Sequence, residues 1–205
     1  MFDQETRDIL ASSVAFWNDT EKVLKEAEQL RGELVVPAVS ELRYAGRKLV
    51  DFTNSRLANE EMVASKKHIY DYEQCCIRAR HDAVDAAVMY MKIYYIHMVR
   101  TFGIDIVHEC YQHHVELKRA IAIVEQRVLL SRKERHLRVD LYSEINGDGL
   151  TELINKFRDL VDSEEVAAGI RRARDREHRV AISAFWIGIA SLVVGVGFGL
   201  FSVLT

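Results

Sequence analysis

The chain has 205 residues, 49% of them hydrophobic and 29% charged, with one Pro, ten Gly and a formal net charge of −3. That composition excludes a disordered or low-complexity chain and describes a globular protein of long helices with few turns. The charge is uneven: residues 171–180 hold five Arg against Asp175 and Glu177, which leaves −6 on residues 1–170 and makes general nucleic-acid binding unexpected.

The opening MFDQETRDIL lacks a basic start followed by an apolar run, which predicts no signal peptide. Cys75, Cys76 and Cys110 cannot pair completely and two are adjacent, the usage of a reducing compartment. From residue 4 to 34 the apolar and small residues Ile9, Ser13, Phe16, Thr20, Val23, Ala27, Leu30 and Leu34 alternate spacings of four and three, a heptad seam. Asn18 and Glu21 have capping-box spacing and would mark a break, but the unbroken seam favours one continuous helix. Pro37 opens a second helix in its first turn, running through Leu42, Leu49 and Phe52 and fading near Thr53-Asn54-Ser55.

A third helix is predicted from about Asn59 to Phe102, as the centre of the soluble part. Ile77, His81, Val84, Val88, Met91, Tyr95, Met98 and Phe102 form its seam, and Ala83, Ala87, Tyr90 and Tyr94 widen the apolar face as packing on two sides requires. Asp85, Lys92 and His97 mark it as core and not a membrane span, since a charge at mid-bilayer costs on the order of a few kcal/mol. Gly103 ends it, and a fourth helix is expected from Ile104 to Ile145, with Cys110, His114, Leu117, Ile121, Val124 and Val128 on its buried side and a solvated second half. Asn146-Gly147-Asp148-Gly149 is a strong turn signal. After it Leu150, Leu153, Ile154, Phe157, Leu160 and Val161 begin an amphipathic helix that, with only Gly169 to interrupt it, is expected to run on through the following basic cluster.

That cluster is Arg171, Arg172, Arg174, Arg176 and Arg179. The 26 residues after it, Val180 to Thr205, contain no charge, no Pro and no Asn or Gln. As a helix they extend about 39 Å, against about 30 Å of bilayer hydrocarbon, which predicts a tail anchor with the basic side, and so the N-terminal domain, cytoplasmic. Ala184, Gly188, Ser191, Gly195 and Ser202 recur in one stripe, with Gly199 four beyond Gly195. Such a stripe lets helix backbones approach closely in lipid and predicts self-association. Phe185 and Trp186 sit at the level of an interfacial aromatic belt.

Four constellations bear on chemistry. Glu144 to Gly149 imitates the start of a calcium loop, but Glu144 stands where Asp is usual and Asn155 where a bidentate Glu is needed, so a turn is the expectation. His108 to His114 gathers metal-capable groups, yet His108 and His113 are five apart, about 140° round a helix. Only Glu109 with His113, or Cys110 with His114, would share a face, and histidines at a packed boundary are expected. Cys75 and Cys76 are expected as small core residues, not acylation sites. Arg172 and His178 match the Arg-x4–6-His spacing of HEPN-type ribonucleases, small all-α proteins. On those two residues the chain resembles that family, which would imply RNA cleavage at a helix whose arginines the membrane surface already accounts for.

The sequence therefore predicts an all-α, elongated bundle of long antiparallel helices on a single C-terminal transmembrane helix: residues 1–170 a cytoplasmic bundle, 171–179 a basic juxtamembrane segment and 180–205 the anchor. No catalytic residue, cofactor or metal is assigned. The expected partners are the lipid bilayer, further copies of the chain and a protein partner at the bundle. The expected function is a membrane-perturbing or pore-forming effector of the toxin or antiviral-defence type. A membrane-tethered scaffold or adaptor comes second, and a ribonuclease or metal enzyme third.

Overall fold

The computed structural model describes residues 2–134, 137, 140–142, 145 and 148–204, with side chains for all of these except 148 and 192–204. The chain is all-α, and no strand occurs among the described residues. Seven helices are delimited among them: α1 Gln4–Arg31, α2 Val36–Leu57, α3 Met62–Phe102, α4 Ile104–Cys110, α5 His114–Lys133, α6 Asp148–Asp162 and α7 Glu164–Leu204.

α3, 41 residues and about 60 Å long, is the axis on which both halves of the molecule are built. α1 lies along its first half and runs parallel to it: Lys66 pairs with Glu5 at 2.8 Å, the Tyr72 hydroxyl donates to the Ser13 carbonyl at 2.5 Å, and the Arg80 Nε donates to Thr20 Oγ1 at 2.9 Å. α2 returns antiparallel on the same half, with the Ser55 and Ser65 hydroxyls 2.7 Å apart, Lys48 to Asp71 at 3.3 Å and Arg78 to Glu41 at 2.9 Å. Both cover α3 more than they touch each other. α1, α2 and α3 thus run up, down and up, each antiparallel to the next.

The local reasons are legible. Asp3 caps α1 by accepting from the Thr6 amide at 2.7 Å, and Gly32 closes it in the left-handed conformation (φ 69°), where a Cβ would be strained. α1 is unbroken through Asn18, and its seam buries Ser13, Thr20, Val23 and Ala27, while Leu34 lies beyond the helix and is exposed. Buried Thr20 is satisfied twice: its hydroxyl donates to the Phe16 carbonyl at 2.8 Å and accepts from Arg80, whose guanidinium lies 4.4 Å over the Phe16 ring. Cys75 and Cys76 are both buried, and burial pushes the Cys76 thiol up to about 11, so it stays a protonated core residue.

The second half of α3 carries α4, α5, α6 and α7. The predicted seam is the buried one, from His81 through Val84, Val88, Met91 and Tyr95 to Met98, with Ala83 and Ala87 also fully buried. α5 returns antiparallel: Lys92 meets Glu125 at 2.5 Å and Arg132 meets Asp85 at 2.7 Å. Leu150, Leu153, Ile154, Phe157 and Leu160 of α6 are all nearly inaccessible, and Phe157 sits edge-on between Tyr90 and Tyr94, at 5.9 and 5.3 Å.

Two continuous helices expected from the sequence are broken. The segment after Gly103 is a seven-residue α4, an extended Tyr111 (φ −142°, ψ 91°) and then α5, not one helix to Ile145. α3 ends where its partner must turn back, so α4 crosses the end of α3 and α5 then descends along it. A straight helix can do one of these but not both. Tyr111 pins the corner, its hydroxyl donating to the Lys156 carbonyl of α6 at 3.0 Å. The last stretch breaks at Ser163 and not at Gly169: Ser163 bonds back to the Leu160 and Asp159 carbonyls, and α7 starts afresh at Glu164 and runs without interruption through Gly169.

Candidate functional site

The feature that sets this molecule apart from a closed bundle is α7. Its first three turns are docked: Ala167 is fully buried, the Tyr94 hydroxyl donates to Glu164, Ser163 Oγ just before the helix lies 3.7 Å from Cys110 Sγ, and Arg174 pairs with Glu109 of α4 at 2.6 Å. Arg171 donates to the Thr101 carbonyl at the end of α3. Desolvation, followed by the Glu164 contact, pushes the Tyr94 phenol well above its ordinary range, so it remains a donor at any physiological pH.

Beyond Arg174 the helix leaves the body. Every residue from Arg171 to Ser191 is exposed, including Phe185, Trp186 and Ile187 at 64, 62 and 67%. Exposure at that level on three consecutive residues, which point in three directions round a helix, means that no part of the body covers any face. The basic cluster thus divides: Arg171 and Arg174 hold the helix to the body, Arg172 and Arg179 bond only to carbonyls one turn back (Ala168 at 3.1 Å, Asp175 at 3.2 Å), and Arg176 is exposed on the free stretch.

Of the small-residue stripe, Ala184, Gly188 and Ser191 lie exposed on the projecting helix. A Cβ at Gly188 would meet nothing within 4 Å, and the Ser191 hydroxyl is turned inward to the Ile187 carbonyl at 2.9 Å. Gly195, Gly199 and Ser202 belong to α7, but their side chains lie outside the described residues. Among the described residues no helix is long and apolar enough to cross a membrane. Described side chains cover residues 180–191 of the predicted span, fewer than the about 20 residues a span needs.

The other candidate groups are not brought together. Arg172 and His178 are six residues apart on the exposed part of α7, about 120° apart round the helix and open to solvent. The break at Tyr111 separates Glu109 and Cys110 from His113 and His114, so neither pair shares a helical face. His113 is exposed and faces Glu116 at 3.4 Å. No group of three or more His, Cys, Asp or Glu able to hold a metal ion occurs among the described residues. Glu144, Asn146 and Gly147 of the calcium-like turn, and the Asp148 side chain, lie outside them.

Of the two sequence expectations for His114, the buried side of a helix and a packed boundary, the structure has the first. His114 is buried, its Nδ1 lies 3.1 Å from the Tyr95 hydroxyl, and its ring meets His108 edge-on at 5.3 Å. Burial, then the nearby His108 and Lys118, holds its pKa below the ordinary 6.5. The unfolded chain therefore binds a proton that the folded one resists, and stability falls as pH drops below about 6.5. The melting temperature is expected to be lower at pH 5 than at pH 8, and His114→Gln, whose amide can donate to or accept from Tyr95 but does not titrate, should shrink that difference. An unchanged pH dependence in the variant would assign it to other groups.

No protein-family model, no curated protein and no solved structure matches the chain.

Proposed function

We propose that this chain is a self-associating helical membrane protein: α7 inserts residues 180–205 as a single span, the bundle sits on the cytoplasmic side, and assembled copies permeabilise the membrane. What carries the reading is the projecting helix, exposed at every residue from Asp175 to Ser191 and uncharged in sequence from Val180 on. A free apolar rod of that kind calls for lipid or further copies of itself around it. Arg172, Arg176 and Arg179, free of the body, suit the anionic inner surface. The docked base of α7 supports the effector over the tether, because movement of the bundle is transmitted to the span without a flexible linker. The reading assigns no catalytic step and no cofactor.

The test is expression of the full chain and of a chain ending at Arg179, with membrane potential and alkaline carbonate extraction measured on both. The full chain is expected to depolarise the cell and to need detergent for release; the shorter chain should be soluble and inert. A shorter chain that still pellets with membranes would move the membrane contact to the bundle. A full chain that is embedded but does not depolarise would favour an adaptor that recruits a protein partner through the bundle.

A further inference from the structure

Where α3 and α5 lie side by side, their facing rows leave a groove of about 350 Å3. α3 lines it with Tyr95, Ile96 and Val99, and α5 with Ile121 and Ala122, so floor and walls are apolar. Its two ends differ. At one, Lys92 reaches across to Glu125 at 2.5 Å, closing the groove with a neutralised pair. The helices run antiparallel, so at the other end Arg100 comes level with Lys118. Both are exposed, and neither is ion-paired with a described residue.

An apolar trough about 12 Å long, with two cations unpaired among the described residues at one end and a neutralised ion pair at the other, is polarised for an anion with a hydrocarbon chain. Its volume is at the small end of the roughly 300–1,000 Å3 range of small-molecule sites. To be enclosed over the same length, a partner helix about 10 Å across would need two to three times as much. We propose that the α3–α5 groove binds a single-chain anionic amphiphile whose length matches the trough, of which a fatty acid anion of about eight carbons is the simplest. Its carboxylate is held by Arg100 and Lys118, and its chain lies over Ile96, Val99 and Ile121 towards the Lys92–Glu125 pair. The neutralised Lys92–Glu125 pair offers the head group no net charge at the closed end, so the ligand has one orientation. The site lies wholly within the bundle and does not depend on α7 entering a membrane.

Full-length protein in an uncharged detergent is titrated calorimetrically with octanoate and, separately, with octanol. One saturable site is expected for the carboxylate, with the alcohol weaker on the order of tenfold. The exposed-site double variant Arg100→Glu/Lys118→Glu should lose about the same factor with unchanged helicity. Ala122→Trp, which fills the trough from an exposed position, should abolish saturation. Equal affinity for alcohol and acid, or undiminished binding by the charge-reversed variant, would overturn the proposal. So would a change of oligomeric mass in Ala122→Trp with binding intact, which would make a second copy of the chain the occupant.

Discussion

Replacing Gly188 and Gly195 together with Leu is expected to leave the protein in the membrane fraction while abolishing both its oligomer in detergent and its power to depolarise cells. The substitution adds hydrocarbon to a segment that is already uncharged, so insertion has no reason to fail. In the isolated chain the space around Gly188 is open and the body is remote from it, so folding of the bundle should be untouched. What changes is the approach of neighbouring spans. In lipid there is no hydrophobic drive between helices, and close backbone packing at small residues supplies the attraction. A loss of about 1.4 kcal/mol per helix contact already lowers association tenfold, and an assembly of several copies multiplies that loss. Crosslinking or mass measurement in detergent reads the oligomer, and a potential-sensitive dye reads the phenotype. Full depolarisation by a demonstrably monomeric double variant would sink the effector reading and promote the tether.

Phe157→Ala is expected to cost about 3–5 kcal/mol, a large part of the about 5–15 kcal/mol available to a domain of this size. The ring is fully buried where α6 meets α3, edge-on to both Tyr90 and Tyr94, so truncation removes both ring contacts and leaves a cavity. For a chain of this length the melting temperature should fall by roughly 6–20 °C. The same tyrosines hold the base of α7 through the Tyr94–Glu164 hydrogen bond, so amide exchange in residues 164–171 should accelerate along with the global loss. Val166→Ala, at an exposed position on α7, is the control and should shift stability by no more than about 0.5 kcal/mol. A melting temperature that falls no further for Phe157→Ala than for this control would mean that α6 is not part of the cooperative core.

How much of this could be read without coordinates follows the range of the interactions. The all-α class, α1 from its seam, α2 from Pro37 and α3 from its double apolar row are set by neighbours three and four apart, and helical periodicity writes such neighbours directly into the chain. The buried face of α6 is equally plain in Leu150, Leu153, Ile154, Phe157 and Leu160, because a helix lying on a core must keep one side apolar. The uncharged run from Val180 and its small-residue stripe are properties of composition and need no fold to be seen.

Tertiary contacts decided the rest. The Cys110–His114–Leu117 spacing is compatible with one long helix, and only the demand that α5 descend along α3 places a corner at Tyr111, anchored by the Lys156 carbonyl. The burial of His114 was legible in that spacing, but its partner was not: only the packing of α5 on α3 brings its Nδ1 to the Tyr95 hydroxyl. Five arginines that read as one basic cluster divide into two that hold α7 to the body and three that do not, a distinction set by Thr101 and Glu109, 70 and 65 residues away. The groove with Arg100 and Lys118 at its mouth belongs to neither helix alone. Periodicity records which residues share a face of one helix, and only the antiparallel register of α3 on α5 sets those two cations side by side.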